Sequence, residues 1–276
     1  MSTLYLESEA NARVKRWKKL AADARSIRRE RATLLEGLHL LQMALEHPQQ
    51  AKISALMLAE ESATAEARAL AESAARAFNA PLFVLAERLY AAISPVEHGA
   101  GCMAEMAIPE PAPIERWANE DALYLDGVQD AGNAGTLIRT AAASGVKVVA
   151  ASVGTAALWT PKVLRAGMGA HFSVQIAEGV SPQALSAGYR GLIAAADARG
   201  GEDLFAAADY AEGPVCWIMG AEGPGVSEAA LAAARCRFYI PIEAGVESLN
   251  VGAAAAVCLF DARRRRLERA RRAERP

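Results

Sequence analysis

The chain shows two patterns of apolar positions, stripes with the period of a helix and short continuous runs typical of buried strands. Leucines between Leu34 and Leu45 form one apolar stripe, which predicts an amphipathic helix from Leu34 to Glu46. Further helices are predicted at 64–78 and 87–93, and strands at 53–58, 82–85 and 103–108. Together these elements predict a small α/β domain.

A proline-rich stretch separates this domain from the rest of the chain. The three prolines between Ile108 and Glu115 predict a stiff, extended linker. Beyond it, apolar runs alternate with helical segments, as a mostly parallel sheet requires. The runs predict strands at 122–125, 147–150, 172–176, 192–195, 215–219 and 237–242. The predicted order is a basic extension at 1–30, a small α/β domain at 31–107, a linker at 108–118, a larger α/β domain at 119–261 and a basic tail at 262–276.

Three predicted strands end in polar loops that lead directly into helices. The segments are Asp126–Gly145, Trp217–Ser227 and Phe238–Phe260, and Ser248 is predicted to open the helix of the last one. Ligands of open α/β sheets bind outside the carboxyl ends of the strands, so the three junctions predict one shared site. Arg139 follows Asn133 by less than two helical turns, so both are expected to face that site. For Ser248 alone, a helix-capping role explains the residue equally well.

Three motifs in these junctions resemble those of a known family. They are Asn-x-Gly-x-x-x-Arg-Thr-Ala at 133–141, Gly-x-Glu-Gly-Pro-Gly at 220–225, and Ile-Pro-Ile followed by Ser-Leu-Asn-Val at 240–251. In this order and at these separations they resemble the SpoU/TrmH-type RNA 2′-O-ribose methyltransferases of the SPOUT superfamily. Thr160–Phe172 is also similar to the family, and Thr33–His47 is similar to the start of its substrate-binding domain. The chain departs from the family pattern at Ala131, Ala221 and Gly252, which carry no chemistry.

The resemblance implies an enzyme that uses S-adenosylmethionine. It also implies a C-terminal domain with a mostly parallel sheet and a deep trefoil knot. The cofactor is then expected to bind through backbone groups of the loops that contain Gly220, Ile240, Ile242 and Leu249.

The same resemblance implies the catalytic residues, which are Asn133, Arg139, Glu222, Ser248 and Asn250. In the family, Arg139 is proposed to take the proton from the ribose hydroxyl. Because a guanidinium stays charged in proteins, we favour a different role, in which Arg139 pairs with a substrate phosphate and stabilises the developing alkoxide. Glu222 is expected to orient Asn133 or Arg139, and the alternative is a surface carboxylate without a role.

Composition and cysteine usage narrow the function classes. With 53% hydrophobic and 22% charged residues, and with no secretory signal or membrane-length apolar run, the sequence predicts a cytoplasmic protein. The four cysteines and four histidines have no metal-ligand spacing, so no metal site is predicted. The glycines at 223–225 and 167–169 lack the third glycine of a dinucleotide fingerprint, which argues against an oxidoreductase.

Positive charge is concentrated at the two ends of a chain whose net charge is only −2. Residues 13–31 hold nine Lys or Arg against two acids, and residues 261–276 hold eight Arg against three. Both segments could contact phosphates. The residues expected to bind RNA are Arg13, Lys15, Arg16, Lys19 and Arg165. In the competing account, Val14, Trp17 and Leu20 dock a helix on the core and the charges are only solvated.

The function predicted from the sequence is methylation of a ribose 2′-hydroxyl in structured RNA. Ribosomal RNA, 23S rRNA in particular, is favoured because the family's minimal transfer-RNA enzymes lack the extra N-terminal domain. Methylation of transfer RNA, a resistance-conferring methylation of ribosomal RNA and a non-catalytic RNA-binding role are the alternatives. A homodimer is predicted through the Ala-rich helix from Ser248 to Phe260, although that helix is as well explained as part of the protein's own core.

Overall fold

The computed structural model describes residues 3–96 and 99–273, in which strands and helices alternate. The strands are β1 (Thr3–Leu6), β2 (Ala32–Glu36), β3 (Lys52–Ala59), β4 (Leu82–Leu85), β5 (Cys102–Ala107), β6 (Ala122–Asp126), β7 (Val148–Ala151), β8 (Gln175–Glu178), β9 (Leu192–Ala196), β10 (Glu202–Asp203), β11 (Val215–Gly220) and β12 (Cys236–Tyr239). The helices are α1 (Ala12–Ala22), α2 (Ala24–Glu30), α3 (Leu38–Glu46), α4 (Ala65–Ala77), α5 (Glu87–Ala91), α6 (Ile114–Trp117), α7 (Ala131–Ser144), α8 (Pro161–Gly167), α9 (Pro182–Gly188), α10 (Glu228–Ala233) and α11 (Val251–Ala273).

The chain folds into two compact units. The first runs to Glu110 and also includes Trp159–Phe172, while the second takes in Pro111–Leu158 and the chain from Ser173. The segment Trp159–Phe172 joins the first unit through specific contacts, among them a hydrogen bond from Thr33 Oγ1 to the Trp159 carbonyl (2.5 Å). The first unit therefore includes both the basic residues 13–31 and a segment from the middle of the second unit's sequence.

The first unit is built on a five-stranded mixed sheet with the order β1-β4-β3-β5-β2. Strands β1, β4 and β3 are parallel, and β5 is antiparallel to both β3 and β2. Helix α1 packs against β2 and buries Val14, Trp17 and Leu20. The apolar residues of the basic segment thus dock a helix on the core, as the competing account predicted.

The helix predicted from Leu34 to Glu46 is wrong in its first turn. Residues Ala32–Glu36 form strand β2, and helix α3 begins only at Leu38. All five residues of β2 are buried, the polar Thr33 and Glu36 among them, so the strand lacks the alternation that marks a half-exposed strand. Gly37, with a φ of 93°, makes the turn between the two elements. The strand predicted at 172–176 is likewise displaced, because Ala170–Phe172 forms a 3-10 turn before β8.

The second unit is built on a seven-stranded sheet with the order β10-β12-β9-β11-β6-β7-β8. Every neighbouring pair of strands in it is parallel. Tyr124 of β6 and Ile218 of β11 lie in its core with Trp117 of α6, all of them buried. In the register between β11 and β6, Gly220 lies opposite Asp126, so the loops that follow these two strands begin side by side.

Helix α11 differs from its prediction at both ends. It begins at Val251 rather than Ser248, and it continues to Ala273 through the segment predicted as a separate tail. Its arginines bind within the unit, since Arg265 pairs with Asp261 (2.7 Å) and Arg269 with Asp209 (2.6 Å), while Arg266 pairs with Asp121. Three arginines of the segment that was expected to contact phosphates therefore form ion pairs that hold helix α11 in place.

Candidate active site

A cavity of about 600 Å³ lies where the loops after β9, β11 and β12 meet the start of α11. Ligand pockets in proteins commonly have volumes of about 300 to 1,000 Å³, so this one could hold a nucleoside-sized molecule. The four residues expected to bind a cofactor all line it, namely Gly220, Ile240, Ile242 and Leu249. Three of the five expected catalytic residues line it as well, namely Glu222, Ser248 and Asn250.

The loop after β11 depends on two glycines. The backbone N–H groups of Ala221 and Gly225 each donate to the other's carbonyl (3.1 and 2.9 Å), which closes a tight turn. A Cβ on Gly220 would lie 2.2 Å from the backbone of this turn, and Gly225 has a φ of 75°. Both positions therefore require glycine, one for close approach and one for its left-handed backbone.

A chain of hydrogen bonds joins side chains from all three sequence motifs. The Asn250 amide Nδ2 donates to Asn133 Oδ1 (3.1 Å), and the Asn133 Nδ2 donates to Glu222 Oε1 (2.8 Å). Asn133 lies in the first turn of α7, where Asp130 caps the helix and accepts from the Asn133 backbone N–H (2.7 Å). The carboxylate of Glu222 therefore fixes which way the Asn133 amide faces, and Asn133 in turn fixes that of Asn250.

Asn250 also begins helix α11. Its Oδ1 accepts from the Gly252 N–H (2.8 Å), and its carbonyl accepts from the Ala254 N–H (2.9 Å). The capping role that sequence reasoning considered for Ser248 thus belongs to Asn250. Ser248 lies two residues before it, is exposed, and makes no hydrogen bond with the part of the chain that the structure describes. Its hydroxyl is free to bind a ligand in the cavity.

Arg139 stands apart from this hydrogen-bonded chain. It follows Asn133 by six residues on α7, which places it about 9 Å along the helix axis and roughly 120° away around it. The side chain is exposed, and within residues 3–96 and 99–273 it forms no hydrogen bond or ion pair. No bond among the described residues joins Arg139 to Asn133, so the expectation that both face one site stays a prediction, and the guanidinium is left available to a partner outside the described chain.

Two buried aspartates support the loops of the cavity, and sequence reasoning missed both. Asp126, at the end of β6, accepts from the Ser227 N–H (2.7 Å) and so ties the loop after β11 to its neighbouring strand. Asp197, directly after β9, binds the guanidinium groups of Arg199 and Arg237. Burial raises the pKa of Asp197, but the Arg199 backbone N–H and the two guanidinium groups outweigh it and lower the pKa. The available signal was the single aspartate that ends each apolar strand run.

The residues expected to bind RNA all lie in the first unit, but they differ in accessibility. Lys15, Lys19 and Arg165 are exposed, and the exposed guanidinium of Arg13 lies 5.1 Å from the centre of the Phe83 ring. Arg16, in contrast, is held by Glu30 and Glu105 (2.5 and 2.6 Å). The structure therefore gives Arg16 a part in folding and leaves the other four accessible to solvent.

The described residues contain neither a cluster of metal-ligating side chains nor a membrane-spanning helix. No group of three metal-ligating side chains occurs among them, and none of the helices they form is long and apolar enough to cross a membrane. Burial raises the pKa of the Cys102 thiol to about 12 and that of Cys236 to about 11, so neither is a thiolate at neutral pH.

The known proteins to which the chain is similar are RNA methyltransferases. Residues 121–260 match the SpoU rRNA Methylase family. The chain is 31% identical over 263 residues to the 23S rRNA (guanosine(2553)-2′-O)-methyltransferase RlmP of Bacillus subtilis (strain 168), covering 94% of this chain and 98% of the relative. A putative RNA methyltransferase of the TrmH family from Porphyromonas gingivalis superposes with a TM-score of 0.76 at 28% identity, over 94% of this chain and all of that one. An AdoMet-bound rRNA methyltransferase from Sinorhizobium meliloti has the same fold, with a TM-score of 0.82 at 24% identity over 95% of this chain and 98% of that one.

Proposed function

Because the chain belongs to the SpoU rRNA Methylase family, we propose that it transfers a methyl group from S-adenosylmethionine to a ribose 2′-oxygen of ribosomal RNA. The observation that carries this proposal is the hydrogen-bonded chain from Asn250 through Asn133 to Glu222. It joins side chains of three separate motifs at the edge of one nucleoside-sized cavity. A protein that had kept only the fold would have no need of this arrangement.

The residues of the cavity fit S-adenosylmethionine. Apolar side chains such as Ile240, Ile242 and Leu249 suit the faces of an adenine ring, and the backbone groups of the surrounding loops can hydrogen-bond its edge. The bound cofactor supplies an electrophilic methyl group on a sulfonium. The protein has to hold the ribose in line with that methyl group and exclude water, which is a task of positioning.

The site residues divide this task between them. The amides of Asn133 and Asn250, oriented by Glu222, and the free hydroxyl of Ser248 hold the ribose by hydrogen bonds. Arg139 pairs with a phosphate of the RNA and stabilises the negative charge that develops on the 2′-oxygen. Its exposed position without a partner in the described chain supports a role that begins only when the substrate is bound.

The proposed RNA is 23S ribosomal RNA, as in the name of the Bacillus subtilis relative that spans nearly the whole chain. Sequencing-based mapping of 2′-O-methyl groups, in a deletion strain and in the same strain complemented with the gene, tests the assignment. We expect one 23S position to lose its methyl group and to regain it on complementation. Loss at a transfer-RNA position instead would select that alternative, and drug-susceptibility testing of the same strains would reveal a resistance role.

We assign RNA binding without chemistry to the first unit. Arg13, Lys15, Lys19 and Arg165 present positive charge to solvent there, and each can neutralise a phosphate. We also propose that the second unit contains the trefoil knot implied by the resemblance, and that the protein is located in the cytoplasm.

We also propose a homodimer formed through helix α11. One face of the helix is used within the unit, where Gly252, Ala255 and Leu259 are buried and the helix packs against α7. On another face, Ala253, Phe260 and Leu267 recur every seven residues and are exposed, with Phe260 at 44% and Leu267 at 47%. These apolar side chains, the last two of which share their surface with Arg263, Arg264 and Arg271, are the proposed contact with a second copy of the helix. Sedimentation at micromolar concentration is expected to give about twice the 29.1 kDa of one chain, and a species of 29.1 kDa alone would reject the dimer.

A further inference from the structure

The cavity contains one positively charged side chain among the described residues that line it. This is Arg199, in the loop that follows β9, whereas Asp197, Glu222 and Glu247 are acidic. None of the three motifs includes Arg199, so the family resemblance gives it no role. An anionic group that binds in this cavity has the Arg199 guanidinium as its one positively charged partner among these residues.

Arg199 is held in place by its own chain. Asp197 Oδ1 accepts from both the backbone N–H and the Nε of Arg199 (3.1 and 3.3 Å), and Nη2 donates to the Val226 carbonyl (3.2 Å). The Asp197 side chain is only 2% exposed, and its other oxygen binds Arg237 (2.5 Å). The guanidinium is thus held by two hydrogen bonds, one to the buried Asp197 carboxylate and one to the Val226 backbone carbonyl.

The guanidinium keeps free donors despite these bonds. A guanidinium has five N–H groups, and the bonds to Asp197 and Val226 use one on Nε and one on Nη2. Both N–H groups of Nη1 and one of Nη2 stay available, and the side chain is 60% exposed. The group lies against Gly225, where a Cβ would come within 3.0 Å of Nη2. The absence of a side chain at Gly225 therefore gives the guanidinium its place beside the loop.

We propose that Arg199 binds the methionine carboxylate of S-adenosylmethionine, an inference that rests on the proposed function. The cofactor carries two positive groups, the sulfonium and the ammonium, and the carboxylate is its one anionic group. Arginine binds carboxylates through two parallel hydrogen bonds, which the free N–H groups of Nη1 and Nη2 can supply. Since Asp197 already holds the side chain, little conformational entropy is lost on binding.

The test compares two ligands that differ in the group in question. S-adenosylhomocysteine keeps the amino acid carboxylate, whereas 5′-methylthioadenosine keeps the adenosine and sulfur but lacks the amino acid portion. Titration calorimetry with the full chain gives the Kd of both for wild type and Arg199→Gln. We expect the variant to bind S-adenosylhomocysteine about tenfold more weakly and 5′-methylthioadenosine within about twofold of wild type, because a half-exposed charged hydrogen bond is worth about that factor. Arg199→Lys should recover part of the loss, since it keeps the charge but not the paired donors.

Arg237→Gln is the matched control, because Arg237 binds the same aspartate but does not line the cavity. It should leave the Kd of both ligands within about twofold of wild type, and thermal unfolding of each variant checks its folding. Equal weakening of both ligands by Arg199→Gln, or an equal loss in Arg237→Gln, would mean that the loop and not the carboxylate bond had been disturbed, and would overturn the assignment.

Two further outcomes separate this inference from the proposed function. If Arg199→Gln weakens RNA binding and leaves S-adenosylhomocysteine binding unchanged, the guanidinium binds a phosphate and the carboxylate assignment is wrong, while the proposed function stands. If wild type binds neither ligand, both the cofactor of the proposed function and the role of Arg199 are overturned.

Discussion

Two polar clusters, one in each unit, are built in opposite ways. In the second unit Asn250, Asn133 and Glu222 form a neutral amide chain ending on a carboxylate, and all three side chains reach solvent. In the first unit Glu105 is buried and accepts from Trp17 Nε1 and Ser54 Oγ (2.6 and 2.7 Å), while Arg16 pairs with it. The second unit's cluster has donors and acceptors left over at an exposed place, whereas the carboxylate at the centre of the first unit's cluster is buried and is held by Trp17, Ser54 and Arg16. Spare hydrogen-bonding capacity at an accessible place, more than the number of bonds, is therefore the ground on which we propose a binding role for the amide chain and a structural role for the cluster around Glu105.

The largest expected effect concerns Arg139, and it sharpens the comparison by asking whether a residue outside the amide chain belongs to the same site. Arg139→Ala should lower kcat by about 10² to 10³, as loss of a charge-stabilising donor typically does, and change the Kd of S-adenosylmethionine less than about twofold. Steady-state kinetics and calorimetry measure the two. Arg139→Lys should not restore the rate, because a point charge lacks the planar fork of donors. A loss of cofactor affinity as large as the loss of rate would place Arg139 on the cofactor side.

Exchanging the amide of Asn133 and the carboxylate of Glu222 tests the hydrogen-bonded chain between them. Asn133→Asp places a carboxylate against Glu222, so the hydrogen bond between them becomes a repulsion, and methyl transfer should fall by about 10². An acidic residue in the first turn of a helix is favourable, so the thermal unfolding midpoint should hardly change. The double variant N133D/E222Q restores a donor and an acceptor in reverse order and should recover part of the rate. Equal rates in the single and double variants would contradict the orienting role of Glu222.

A mutation in the buried cluster around Glu105 should lower stability and leave activity unchanged, the reverse of what we expect for the amide chain. Glu105→Ala leaves the Trp17 N–H without its acceptor and the Arg16 guanidinium with Glu30 alone, and should lower the free energy of unfolding by about 3 kcal/mol. Methyl transfer per folded molecule should be unchanged. Urea unfolding and activity at a temperature below the transition measure the two. Reduced activity in a variant of wild-type stability would reverse the assignment of this cluster.

The pH dependence of stability separates the charge of Glu105 from its hydrogen bonds. Burial raises the pKa of this carboxyl, but the Arg16 guanidinium and the Ser54 and Trp17 donors outweigh burial and lower it below its ordinary value of 4.5. A carboxyl with a lowered pKa contributes stability above that value, and the contribution is lost as the pH falls through the folded-state pKa. Glu105→Gln should therefore flatten the acid side of the curve of unfolding free energy against pH.

The buried Glu36 shifts in the other direction, because burial raises its pKa although the charge of Arg165 opposes the rise. Glu36→Gln should therefore stabilise the protein more at pH 7 than at pH 4.

The smallest expected effect concerns the exposed charges near the buried cluster. Reversal of Arg13, Lys15 and Lys19 to Glu should weaken RNA binding and reduce the slope of log affinity against log salt by roughly 0.7 for each single-strand phosphate that is no longer neutralised. Arg16 is left out because its guanidinium belongs to the structural cluster. Reversal of Arg271 and Arg272 on α11, two charges where the α1 variant reverses three, is the control, and the slopes are compared per reversed charge. An unchanged salt slope in the α1 variant would remove these residues from the RNA-binding surface.

The sequence predicted correctly those elements whose burial leaves a regular pattern along the chain. The strands of the second unit are recognisable as apolar runs because parallel strands are buried on both faces, and three of its motifs meet because parallel strands end at the same edge. It failed at β2, where the same continuous burial resembled one turn of a helix. It also failed to find Arg199, whose role depends on a bond to Asp197 and on the space beside Gly225, neither of which leaves a periodic signal. The trefoil knot stays a prediction from the resemblance.

Helix α11 connects the site to a distant set of ion pairs. Asn250 begins the helix within the amide chain, and Arg269 binds Asp209 about 28 Å further along. Transient opening of this helix would break the cap, the amide chain and the cavity wall together, so a ligand in the cavity has to leave before the helix opens. Its binding then adds to the free energy of that opening by RT ln(1 + [L]/Kd). Amides near Arg265 and Arg269 that exchange through opening of the whole helix should therefore exchange more slowly when the cavity is occupied, although only the start of the helix lines it.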